Sequence, residues 1–180
     1  MKLATLPCCS AIVLVTLVAA PATGPAAAAA AAADRYQPLA FLIGHCWKGT
    51  FAGDVRATDE HCFSRIYGGK FVRDEHVVHR EGRPDAFGES TYLWNSAAGQ
   101  LEYLYIESAG GFVRGAVTVE DGALVFPAAA FVDRGESMNV RSRWQRAGDD
   151  AYDVVTEFQV KDRWVPGFSL HMQRVLNAPA

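Results

Sequence analysis

The sequence has no block of lysine or arginine, and its formal net charge is −3 over 180 residues. Without a basic stripe, a nucleic acid is not expected as a partner. Charge is almost missing from the first 33 residues, which contain no Asp, no Glu, no aromatic residue and one basic residue, Lys2. Cysteine is scarce: of four in the chain, Cys8 and Cys9 lie in that uncharged opening, leaving Cys46 and Cys62. After residue 33 no apolar run is long enough to cross a membrane as a helix. Catalytic signatures are missing too, with no G-x-S-x-G elbow, no phosphate-binding loop and no H-E-x-x-H.

What the opening does contain is Met1-Lys2, the apolar stretch 11–20 (AIVLVTLVAA), Pro21 as a breaker and an alanine run at 26–33. A short positive start, about ten apolar residues and small-residue cleavage points are the pattern of a secretory signal peptide. Residues 1–33 are therefore read as a signal peptide with an alanine-rich spacer, and 34–180 as one exported domain, periplasmic or extracellular. The domain has about 147 residues and holds all 20 aromatics, enough for a sizeable core. In an oxidising compartment the even pair Cys46 and Cys62 is expected to form a disulfide. The two positions are symmetric about Asp54, so a hairpin turning at Gly53-Asp54 sets them opposite each other. Zinc is the alternative, through His45-Cys46 and His61-Cys62, but adjacent side chains on a strand face opposite ways. No metal site is expected.

Helical periodicity is nearly absent. Short β-rich runs occur at 45–52, 59–66, 70–79, 87–95, 100–107, 112–120, 123–126, 137–146, 151–160 and 164–175, divided by turn signals such as Gly68-Gly69, Gly110-Gly111 and Asp121-Gly122. Residues 34–43 read as a lid or a single helical turn before the first strand. Nine or ten strands joined by short loops predict an all-β fold, a closed antiparallel up-and-down barrel. Closure removes the sheet edges that such a meander would otherwise expose. A β-sandwich is the alternative, and only the stretch 127–136 is long enough for its crossover.

The stretch Phe41-Leu42-Ile43-Gly44-His45-Cys46-Trp47-Lys48-Gly49 resembles the opening of the calycin superfamily, the lipocalins, fatty-acid-binding proteins and nitrobindins. Here Gly44 and Trp47 are three apart, where lipocalins usually have two. The resemblance implies a ligand-binding barrel with an Arg of the last strand, Arg174, packed over Trp47 as a structural pair. It also implies one possible cofactor. A His late in the chain holds haem iron in nitrobindin-like barrels, and His171 stands in a loosely similar place.

Parity sorts the side chains. If Trp47 faces inward, so do Gly49 and Phe51, and the hairpin puts His61, Phe63 and Arg65 on that face, with His61 opposite Trp47. His61 then reads either as a ligand contact or as a buried, hydrogen-bonded wall residue. Leu101, Tyr103, Tyr105 and Glu107 share a face, and tyrosine suits a cavity wall through its apolar body and polar tip. Glu89 alternates with Phe87 and Leu93, and Arg114 with Phe112 and Ala116. Arg141 and Arg143 share the face opposite Val140 and Trp144. His76 and His79, three apart, take opposite faces. The candidate ligand-binding residues are Glu89, Tyr103, Tyr105, Arg114 and His171. The function expected is binding of a small, mostly apolar molecule, such as a lipid, with no cofactor required. The alternatives are haem binding through His171, an enzyme acting on a small substrate in the cavity, and a filled structural barrel of the envelope. Oligomeric state is left open.

Overall fold

A computed structural model describes residues 35–176; the signal-peptide reading, with Cys8 and Cys9, lies outside the described residues. Ten strands follow one another: β1 Cys46–Phe51, β2 Asp54–Ile66, β3 Phe71–Arg80, β4 Ala86–Asn95, β5 Gln100–Glu107, β6 Phe112–Glu120, β7 Ala123–Asp133, β8 Glu136–Arg146, β9 Ala151–Val160 and β10 Arg163–Arg174. Each pairs antiparallel with its neighbour in sequence, and β1 pairs with β10, so the sheet closes into an up-and-down barrel with no free edge. The sandwich alternative is excluded. No helix among the described residues is long and apolar enough to cross a membrane.

Alternation creates the interior. In β9, Tyr152, Val154 and Thr156 are buried while Asp153 and Val155 are exposed, the period of two that a one-sided strand requires. The stretch 127–133, anticipated as a connection, is instead the second half of β7. Its Pro127 falls within a register shift between Phe126 and Ala129, where proline costs no ladder hydrogen bond. The chain then reverses at Arg134-Gly135, both with positive φ (48° and 84°). Two such residues make the tight hairpin turn that matches strand twist. In the first hairpin, Cys46 and Cys62 are Cα partners and form a disulfide. Closing a 16-residue separation stabilises the fold by about 3 kcal/mol in the chain-entropy account.

One end of the barrel is shut. A short 3-10 turn, Gln37–Leu39, lies just before β1, and Tyr36, Leu39 and Leu42 of this segment are almost fully buried. The Tyr36 hydroxyl donates to the Lys70 carbonyl (2.6 Å) at the start of β3, and Phe41 packs edge-on against Trp47 and Tyr152. Arg174 stands 5.2 Å over the Trp47 ring at the same end, and Arg65 lies over Tyr36 outside the interior. The opposite end, where β2 starts and β5 finishes, carries no such plug among the described residues.

Candidate functional site

Above the plug lies a cavity of about 380 Å³. Its lining divides by strand. From β7 to β10 come Phe126, Phe131, Val140, Trp144, Val154, Phe158, Phe168 and Leu170, relieved only by Met138, Arg141, Ser142 and Thr156. From β2 to β5 come Asp59, His61, Asp74, His76, Ser90, Tyr92, Tyr103, Tyr105 and Glu107. One wall is aromatic and aliphatic; the other concentrates ionisable groups.

The polar wall grows from a repeat. β2 carries Asp59-Glu60-His61 and β3 carries Asp74-Glu75-His76. The strands run antiparallel with His61 and His76 as direct Cα partners. Period two sends each Asp and His inward and each Glu outward, where Glu60 pairs with Lys48 and Glu75 with Arg73. The repeat thus meets itself head to head. The two imidazoles stack with centroids 4.6 Å apart and planes 21° from parallel.

The pseudo-symmetry breaks in the hydrogen bonding. His61 Nδ1 sits 3.0 Å from both oxygens of Asp74, and its Nε2 lies 3.2 Å from Asp59 Oδ2. With a carboxylate at each nitrogen, both nitrogens donate and the ring is an imidazolium. Burial alone would lower its pKa, but the charges of Asp74 and Asp59 and their hydrogen bonds prevail and raise it to about 10. Burial likewise works to raise the Asp59 carboxyl, yet the charge and hydrogen bond of His61 and those of His76 hold it well below the usual carboxylate range. His76 Nδ1 donates to Asp59 Oδ1 (2.9 Å), leaving Nε2 to face the Tyr105 hydroxyl at 3.2 Å. A continuous chain therefore runs Asp74, His61, Asp59, His76, Tyr105. Asp59 and Asp74 are 5% and 1% exposed, so their charges are sustained by these partners and not by water.

Glycine makes room for the last step. A Cβ on Gly88 of β4 would stand 2.1 Å from His76 Nε2 and 2.8 Å from Tyr105 Cε2, closer than van der Waals contact allows. Its missing side chain is the space in which His76 and Tyr105 meet. Tyr103, two residues before Tyr105 on the same face, is 93% buried, and its hydroxyl has no hydrogen-bond partner among the described residues. Burial raises its pKa to about 12. Burial, and then the Glu107 charge, also keep Tyr105 above the ordinary range, so both phenols are neutral donors or acceptors.

Asp59, His61 and His76 offer donor atoms within 4.8 Å of one another, a set worth testing against a metal. A metal bound by two imidazoles lies in the plane of each ring. Two rings stacked nearly parallel share no such point, and His61 already directs both nitrogens at carboxylates. The geometry is that of a proton-holding network.

The other candidate residues lie elsewhere. Tyr103 and Tyr105 face the cavity. Glu89 is on the outer face, within 3.4 Å of the Thr91 hydroxyl. Arg114 is also outside and donates to Glu102 Oε2 at 2.7 and 3.3 Å. The hydrogen bonds from Arg114, Gln100 and Asn95 hold Glu102 down to about 2. His171 is outside as well, bonded to Asp153 at 2.7 Å with both side chains 53% exposed. Glu89, Arg114 and His171 are thus not brought together with the tyrosines. The residues that do gather there, Asp59, Asp74 and His76, were not among the candidates. The signal that points to them is the repeated Asp-Glu-His on two consecutive strands.

The chain matches no protein-family model and no curated protein sequence.

Proposed function

We infer that the protein is an exported binder of a small, mostly apolar molecule held in the barrel cavity. The observation that carries this is the cavity itself. It has about 380 Å³ of space beside a mostly apolar wall, with the carboxylates, imidazoles and phenols gathered on the facing wall. Apolar enclosure with a few convergent polar groups is what small-molecule sites require. In this reading Tyr103 and Tyr105 touch the ligand, whereas Glu89, Arg114 and His171 stand outside its reach. The ten-stranded closed barrel, the opening around Trp47 and the Arg174 contact are compatible with a calycin relationship. The disulfide supports an oxidising compartment and hence export.

Native mass spectrometry of the purified protein, before and after denaturation, tests the reading. A co-purifying molecule released on unfolding, or stoichiometric uptake of the neutral probe N-phenylnaphthylamine, is expected. Bare protein that takes up no probe at saturating concentration rejects it.

One observation favours a second reading, an enzyme performing proton transfer on the bound molecule. Asp59 orients His76, and His76 faces a hydroxyl that lines the cavity, an arrangement of base, orienter and proton carrier familiar from acid–base catalysis. Turnover of the released ligand that His76→Gln abolishes while binding persists would establish it. Turnover unaffected by that substitution would remove it.

A further inference from the structure

We propose that the cavity selects its occupant by positive charge: the ligand is a small amphiphilic amine whose ammonium lies among Asp59, Tyr105 and Glu107, with its apolar body against Phe131 and Phe158. This deepens the binding reading above and rests on it.

The first argument is a charge count over the groups that face the cavity. Three carboxylates line it, those of Asp59, Asp74 and Glu107. Against them stands one imidazolium, His61. Arg141 also borders the space, but its Nε is 2.6 Å from Glu157 Oε2 and its guanidinium lies over Trp164, so its charge is taken up on the outer side. His76 donates from Nδ1 to Asp59 and meets the Tyr105 hydroxyl at Nε2; counted as a second cation beside His61, it still leaves three carboxylates facing two positive charges. The lining therefore carries uncompensated negative charge within a largely apolar enclosure. A carboxylate ligand would add to that repulsion, and an ammonium relieves it.

The second argument is unused hydrogen-bonding capacity. Glu107, half-buried at the open end, has no side-chain hydrogen bond or ion pair among the described residues. Tyr103, itself 93% buried, lines the cavity, and its hydroxyl has no hydrogen-bond partner among the described residues. Whichever of the two carries the proton between Tyr105 and His76 Nε2, the Tyr105 oxygen keeps a lone pair and offers the ligand an acceptor. Each of these groups can accept from an N–H. The third argument is the surface around them. Aromatic faces attract cations, and Tyr103, Phe126, Phe131 and Trp144 all border the same space.

A set of three probes of similar size separates charge from shape: phenethylamine, phenethyl alcohol and hydrocinnamate, titrated calorimetrically into the purified protein at pH 7. The amine should bind at least about tenfold tighter than the alcohol, a difference of one decade in Kd, with the carboxylate weakest. Glu107→Gln should narrow the gap between amine and alcohol by weakening the amine more than the alcohol, and Asp59→Asn should narrow it further if that variant folds. If hydrocinnamate binds as well as or better than phenethylamine, or if the amine preference survives Glu107→Gln undiminished, the proposal is overturned. Binding of all three with equal affinity overturns the charge selection but leaves the binding reading intact. Failure of all three to bind overturns both.

Discussion

The two walls of the barrel solve the same burial problem by opposite means. The wall from β7 to β10 excludes water with rings and branched chains, and it needs only shape. The wall from β2 to β5 buries two carboxylates and an imidazolium that survive only because each satisfies another. Apolar packing degrades gradually when a group is trimmed, since neighbours relax into the space. A buried ionic chain has no such tolerance, because removing one partner strands the rest. The polar wall is therefore the more brittle half, and a fold retains such a wall for chemistry more readily than for stability.

The sharpest way to break this comparison is Asp74→Asn. It removes the carboxylate from His61 Nδ1 and should cost about 3–5 kcal/mol of unfolding free energy, read by chemical denaturation. A loss below about 1 kcal/mol would mean that the network contributes no more than a surface pair. On the opposite wall, Phe126→Ala removes a ring packed on Tyr103 and Trp144. It should cost about 3 kcal/mol, the low end for such truncations, because the ring already borders open space.

Alkaline pH asks the same question without mutation. The folded-state pKa of His61, about 10, lies above its ordinary 6.5. Its contribution is thus complete below about pH 6.5 and is lost as pH rises through 10. The depressed Asp59 works in the other direction: its contribution is present above about pH 3.8 and is lost as pH falls below that. The denaturation midpoint should peak between these limits and decline toward pH 10. His61→Gln should flatten the alkaline limb; an unchanged decline would assign it to another group. The smallest effect belongs to the outer surface. His171→Ala breaks a half-exposed pair with Asp153 and should shift stability by less than about 0.5 kcal/mol, with ligand uptake unaltered.

Much of the barrel was legible in residue order because its turns are written in short, local chemistry. Asp121-Gly122 and Gly110-Gly111 sit between β-rich runs, and the strands on either side follow. β7 was harder: Pro127 and the alanines after it look like a connection, and only the register shift at Phe126 makes room for proline within a strand. The site was less legible, for two reasons. Facing could not be judged where both sides of a strand are apolar. Phe87, Ile106 and Phe112 are all well exposed on the outer face, so Glu89 and Arg114, which share their parity, looked as eligible for the interior as Tyr103 and Tyr105. The second reason is pairing. His61 and His76 are unremarkable singly and become a unit only when register sets them opposite each other.

The plug at the Tyr36–Leu42 end has a kinetic consequence. A tube sealed at its base would give a ligand bound as proposed one path, so a departing molecule would leave through the opening by which the next arrives. An incoming competitor cannot push from behind. Exchange should therefore be limited by spontaneous departure, with a single-exponential rate that stays constant however much competitor is added.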